Sequence, residues 1–305
     1  MSGYNKNNSK INILIKISWF YVILLIIKKQ KSFELNLSTL QFNKQIMIKL
    51  NNKETLSEKK EIIFSKVLSC DFCKENILLP NRYHNIYSKK IVNFKQRIIK
   101  KFNEFYLIPT LGQLLEHYLL IVSYKHITGS SQLSYCSFDN LKIIMDKLIE
   151  INEEKNKKTL FFEHGMPNEG IECFGGCGIT HLHIHSIPVN IPDIKKFFNK
   201  LEEFFKNKTT KYSVETLSDW SDIVKYKNFS YLIIKIESEV KVFLFKVNII
   251  KSDKVNKEEV PSQLIRQFLK DFFSLDKDYN WRNYNDEYLE IQNTKKYYHD
   301  KLSSI

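Results

Sequence analysis

Three histidines alternate with apolar residues in the run His181-Leu182-His183-Ile184-His185. Strand side chains two apart share a face. The spacing therefore predicts His181, His183 and His185 on one side of a β-strand, with Leu182 and Ile184 in the core behind it. Burying a row of imidazoles without partners is costly, so the pattern argues for a site rather than for packing. Imidazole is largely neutral near pH 7 and can bind a metal, carry a proton or attack an electrophile. Spacing leaves two chemistries open. All three histidines could hold one catalytic zinc. Alternatively, one ligates a structural metal while another is a nucleophile. Cys70 and Cys73, a C-x-x-C pair, favour the second, because two thiolates and two imidazoles close a tetrahedral zinc site with no position left for substrate.

The elements that must hold these residues are legible in outline. Phe105 to Ile108 predicts a short strand, and Pro109-Thr110-Leu111-Gly112 a turn. Tyr118 to Val122 has the length and composition of a buried strand. Leu141, Ile144, Met145, Leu148 and Ile149 recur at the helical period, predicting a helix over Phe138 to Lys155. Leu160-Phe161-Phe162 opens another strand, and a loop carrying Gly165, Gly170, Gly175, Gly176 and Gly178 leads into the histidines. The glycines from Gly175 to Gly178 allow close backbone approach and offer N–H donors. Beyond Pro188 the pattern predicts an amphipathic helix over Pro192 to Lys206, strands over Tyr231 to Ile236 and Val240 to Ile249, and a helix from Pro261 to about Phe273. The polar tail after Arg282 reads as peripheral. Before these, Glu54 to Ser69 reads as a charged helical stretch. The fold class expected is α+β, a largely antiparallel sheet with flanking helices. Residues 1–46 form an extension, 47–190 the domain with the histidines, and 191–305 a C-terminal α+β extension or degenerate second half.

The whole chain has 305 residues and is 43% hydrophobic, enough to bury a sizeable core. Its net charge of +13 follows from lysines spread through a chain rich in Lys, Asn and Ile. Such a surface attracts polyanions, but no RNP-like, homeodomain-like or zinc-finger repeat accompanies it, which weighs against a nucleic-acid binder. The five cysteines are odd in number in a chain that is not small, which argues against a disulfide framework. Ile11 to Ile27 is largely apolar but interrupted by Lys16, marginal for a spanning helix. It reads as a membrane anchor, as an amphipathic or core segment, or as an extension ahead of a start at Met47. The expected location is cytoplasmic, with membrane association only through that segment.

With these residues in view, the chain resembles the histidine-triad superfamily of nucleotide hydrolases and transferases. His181-Leu182-His183-Ile184-His185-Ser186-Ile187 carries the resemblance, together with Leu119 to His126, with Phe162-Glu163-His164-Gly165 followed by Gly176-Cys177-Gly178, and with Cys70-Asp71-Phe72-Cys73. It covers roughly residues 65 to 190. It implies that His183 is the nucleophile on the α-phosphorus and that His185 contacts the phosphoryl group. It also implies a structural zinc held by Cys70, Cys73, His126 and His181, with His84, His164 and Cys177 as reserve ligands. Glu163 and Gly178 fall where relatives place polar residues near the phosphate or leaving group. Two departures stand out: Tyr118, with His117 beside it, replaces a histidine common in relatives, and Gly178 replaces a hydroxyl. Pro261 to Arg266 and Asn280-Trp281-Arg282 resemble the C-terminal part of longer triad proteins. Arg266 and Arg282 are candidate phosphate clamps, since guanidinium is a planar bidentate donor. The implied activity is hydrolysis or transfer of nucleotides from phosphate esters, phosphoramidates or dinucleoside polyphosphates through a covalent nucleotidyl-histidine. The implied partners are that nucleotide or dinucleotide substrate and a second copy of the chain in a homodimer. The alternative is a non-catalytic nucleotide- or RNA-binding module on the same scaffold.

Overall fold

The computed structural model describes residues 70, 72–73, 97–167, 179–208, 212–245, 263–284 and 288–302, and the backbone of 83–84 and 91–92. The apolar stretch 11–27, the charged stretch 54–69 and the glycines from Gly170 to Gly178 lie outside the described residues. No helix among the described residues is long and apolar enough to cross a membrane.

The strands run β1 Tyr83–His84, β2 Ile91–Val92, β3 Lys100–Lys101, β4 Phe105–Pro109, β5 Leu119–Ser123, β6 Lys158–Gly165, β7 His183–Val189, β8 Tyr212–Leu217, β9 Ser230–Ile236 and β10 Glu239–Phe245. The helices are α1 Tyr135–Glu153, α2 Ile194–Lys208, α3 Leu264–Phe272 and α4 Tyr288–Leu302. β1 and β2 pair with each other, and the other eight strands form one antiparallel sheet in the order β3-β4-β5-β7-β6-β9-β10-β8. The protein is thus α+β, and β9 joins β6 edge to edge. The C-terminal strands therefore extend the first sheet.

β4 and β5 are buried along their whole length, which explains their continuous apolar runs: both faces of the sheet are covered. On one face, Leu119, Ile121, Leu182 and Ile184 pack against α1 and the end of α4. On the other, Tyr118, Leu120, Val122, Phe162 and Ile187 pack against the phenylalanines of α2 and α3 and against Phe72. His183 and His185, alternating with Ile184, belong to this second face.

Three expectations shift. α1 starts at Tyr135 rather than Phe138, because the Ser134 hydroxyl accepts the Ser137 N–H and caps the helix there. β7 starts at His183, so His181 sits in the bend before the strand. There the Leu182 N–H donates to the Ile127 carbonyl, tying the bend to the loop after β5, while the His181 N–H donates to the Ile179 carbonyl within the bend. The tail after Arg282 is not peripheral: α4 buries Ile291, Thr294, Tyr298 and Leu302, a helical stripe thinly spaced among polar residues. The fully buried Tyr298 hydroxyl lies 3.2 Å from both the His117 carbonyl and Asn152 Oδ1. Tyr298→Phe is expected to destabilise the protein by about 1–2 kcal/mol, the worth of a buried hydroxyl whose partners lose their donor. Urea unfolding reads it, and an unchanged midpoint would mean that this hydroxyl contributes nothing to stability.

Candidate functional site

The segment carrying the cysteine pair, the loop after β5 and the bend before β7 converge on one point. Cys70, Cys73, His126 and His181 place one ligand atom each within 4.8 Å of one another. His181 Nδ1 lies 3.4 Å from both sulfurs and 3.3 Å from His126 Nδ1, which is 3.1 Å from Cys73 Sγ. Bond lengths of about 2.3 Å to sulfur and about 2.0–2.1 Å to nitrogen in a tetrahedral zinc centre imply ligand–ligand edges near these values. His181 Nε2 is 2.8 Å from the Ser123 carbonyl. It must donate there, which leaves the Nδ1 lone pair facing the sulfurs, the outer hydrogen bond that orients a metal-bound imidazole. A hydrogen bond from Cys73, helped by His126 and His181, holds the Cys70 thiol well below the ordinary thiol value against the cost of burial. The same sharing pushes the Cys73 thiol up. The cluster can therefore hold a metal ion. Of the reserve ligands, His164 lies outside this cluster; Cys177 and the His84 side chain are outside the described residues.

From His181 the chain enters β7, and the next two histidines form a different site. His183 Nδ1 is 2.6 Å from the His181 carbonyl. A carbonyl only accepts, so the proton sits on Nδ1 and Nε2 carries a free lone pair. The His183 ring is half-buried. Phe72, from the cysteine segment, packs 5.3 Å from its centroid and 5.6 Å from that of His181. His185 follows 5.0 Å along, with the Phe162 ring stacked on it at 4.2 Å and the Tyr118 hydroxyl 2.7 Å from Nδ1. Burial lowers the His183 imidazole to about 4, and burial with the nearby charge of His183 takes His164 to about 4. His185 is likewise held well below its ordinary value, chiefly by burial. The face thus presents neutral rings at physiological pH, and Nε2 of His183 carries no proton.

Of the remaining predicted residues, Glu163 and Arg266 are taken up by other partners. Glu163 alternates with Phe162 and His164 on β6 and takes the opposite side. Its Oε1 accepts from the Ser130 N–H at 2.7 Å and from the Tyr231 hydroxyl at 2.8 Å. Arg266 is buried and donates to the carbonyls of Tyr279 and Gly112, so it braces backbone behind Tyr118 rather than offering a free fork. Arg282 lies on the turn Trp281–Asn283, its guanidinium 4.7 Å over the Trp281 ring. Gly178 is outside the described residues.

Glu163 has a consequence for stability. Burial, opposed by its hydrogen bonds from Ser130 and Tyr231, pushes the carboxyl up to about 7, above the unfolded value of about 4.3. Between those values the folded state holds the extra proton, so this group makes stability fall as pH rises from about 5 to about 7. The full effect is on the order of 3 kcal/mol. Glu163→Gln is expected to remove that slope, read as unfolding free energy in urea at about pH 5.5 and about pH 8. An unaltered slope would place the titrating group elsewhere.

Phe72, Phe162, His164 and the hydroxyl of Tyr118 complete the histidine face, and sequence reasoning gave none of them a role there. The alternation on β6 could have separated Glu163 from His164. Choosing the face needed the pairing of Phe162 with His185.

No family model matches the chain, and no curated protein matches it. Among solved structures, it is similar to yeast Ap4A phosphorylase Apa2, at 9% identity and a TM-score of 0.34, over 75% of this chain and 95% of that one. It is also similar to a HIT family hydrolase from Clostridium thermocellum, at 18% identity and a TM-score of 0.23, over 32% of this chain and 83% of that one. A third is a uridylyltransferase, at 9% identity and a TM-score of 0.28, over 67% and 86% of the two chains.

Proposed function

We propose that the protein is a nucleotide hydrolase or nucleotidyltransferase that works through a covalent nucleotidyl-histidine on His183. The observation that carries this reading is the 2.6 Å contact between His183 Nδ1 and the His181 carbonyl. It fixes the tautomer and leaves Nε2 unprotonated on a half-buried ring. Nε2 attacks the α-phosphorus, forming a P–N bond while the P–O bond to the leaving group breaks and its electron pair departs with that oxygen. The ring becomes cationic as it loses its lone pair to phosphorus, and the His181 carbonyl at Nδ1–H stabilises that charge. Water, phosphate or a phosphate ester then attacks phosphorus, and the P–N electron pair returns to Nε2. His185 lies beside this path and contacts the transferred group.

In this reading zinc occupies the Cys70, Cys73, His126 and His181 cluster. A closed four-ligand site gives it a structural part: it ties the cysteine segment to the bend before β7. His181 and its carbonyl are fixed by it, and with them His183. Turnover of labelled dinucleoside polyphosphates and nucleoside phosphoramidates, with and without inorganic phosphate, tests the reading. Hydrolysis products, or a phosphate-dependent nucleoside diphosphate, are expected. Nucleotide binding with no turnover of either class would favour the binding module instead.

A further inference from the structure

His183 and His185 sit two residues apart on β7 and are held by different partners. A backbone carbonyl takes the Nδ1–H of His183. His185 Nδ1 instead meets the Tyr118 hydroxyl at 2.7 Å, and a hydroxyl can either give a proton or accept one. Tyr118 is fully buried, and burial holds its phenol well above the ordinary value, so it stays a neutral O–H. Arg266 breaks the tie. Its guanidinium is buried, anchored to the Gly112 and Tyr279 carbonyls, and 5.7 Å from the Tyr118 ring centroid. Its permanent charge acts on the phenol. A cation beside a phenol favours the orientation in which the oxygen lone pairs face the charge and the O–H points away from it, here toward the imidazole.

We infer that Tyr118 is a positioning residue that, oriented by Arg266, donates its hydroxyl proton to His185 Nδ1 and fixes His185 as the Nε2–H tautomer, a hydrogen-bond donor to the transferred phosphoryl group. The inference rests on the phosphoryl-transfer reading of the site. It gives the two histidines complementary parts: a bare Nε2 on His183 to attack phosphorus, and an N–H on His185 for an oxygen of the same group. Two bare nitrogens would leave those oxygens without a donor from either ring. The Phe162 ring, nearly parallel to His185 at 6°, holds the imidazole against a flip that would exchange its nitrogens. Arg266 comes from α3, so this is also how the C-terminal section bears on the histidine face.

The test uses the full-length, metal-loaded protein with nitrogen-15 in its histidines, in which long-range proton–nitrogen spectra show which ring nitrogen bears hydrogen. The wild type is expected to show Nδ1–H at His183 and Nε2–H at His185. Tyr118→Phe keeps the buried ring and removes the hydroxyl. It is expected to leave His185 a mixture of tautomers and to lower kcat toward a dinucleoside polyphosphate roughly 10- to 100-fold with KM nearly constant. Metal content serves as the check on folding. A His185 that is Nδ1–H in the wild type, a result needing no variant, overturns the inference, and so does a tautomer unchanged by Tyr118→Phe. Tautomer and turnover separate the two claims: a wild type that forms no adduct on His183 overturns the phosphoryl-transfer reading, whereas a His185 tautomer indifferent to Tyr118 overturns this one.

Discussion

His183→Asn is expected to lower nucleotide turnover by at least roughly 10⁴-fold, the scale on which removing a covalent nucleophile acts. An asparagine amide can replace the hydrogen bond to the His181 carbonyl, but it has no lone pair able to attack phosphorus. The substitution should leave the fold and the metal almost untouched. His183 is not among the four clustered ligands, and its ring is only half-buried. A stability change within about 1–2 kcal/mol is expected from the lost contact with Phe72 and the altered hydrogen bond. Elemental analysis, an unfolding curve and kcat/KM on the same preparation separate chemistry from folding. Turnover at a comparable rate in His183→Asn would remove the nucleophile assignment.

Replacing Cys70 and Cys73 together with serine is expected to abolish metal binding and to destabilise the protein by several kcal/mol. Structural zinc sites lend their binding energy to folding, about 10–16 kcal/mol in small zinc peptides. The smaller loss here reflects a sheet with its own core on both faces. Serine hydroxyls are poor ligands for a metal that prefers thiolate and imidazole. Activity should fall as well, because Phe72 lies between the two cysteines and packs against the rings of both His181 and His183. A chelator should reproduce the effect in the wild type, and added zinc should reverse it there but not in the double variant. About one zinc per wild-type chain is expected, and full metal content in the double variant would refute the ligand set.

The physics of period and spacing made some of this readable and left the rest dark. Alternation of His183 with Ile184 and His185 was enough to place two imidazoles on one face, and the buried strands at Phe105 and Leu119 announced themselves as continuous apolar runs. The helix over α1 was legible because its apolar stripe is dense. α4 was not, because only Ile291, Thr294, Tyr298 and Leu302 are buried in an otherwise polar segment, too sparse a stripe to read as a packed face. Residue type alone could not place Glu163 and Arg266. A carboxylate and a guanidinium near the triad suggest phosphate chemistry, yet strand parity sends Glu163 to the far face, and backbone carbonyls occupy donors of Arg266. The partnership of Tyr118 with His185 depends on β5 lying beside β7, a neighbour relation that a single chain of letters does not state.

The proposed nucleotidyl-histidine is the most direct object to measure. Wild-type protein is mixed briefly with a dinucleoside polyphosphate labelled at the α-phosphorus, quenched in base, digested and mapped by mass spectrometry. An acid-labile, base-stable nucleotidyl group on His183, formed at a rate consistent with turnover, is the result expected. Turnover with the label on another residue, or with no covalent label under conditions that preserve phosphoramidates, would contradict it.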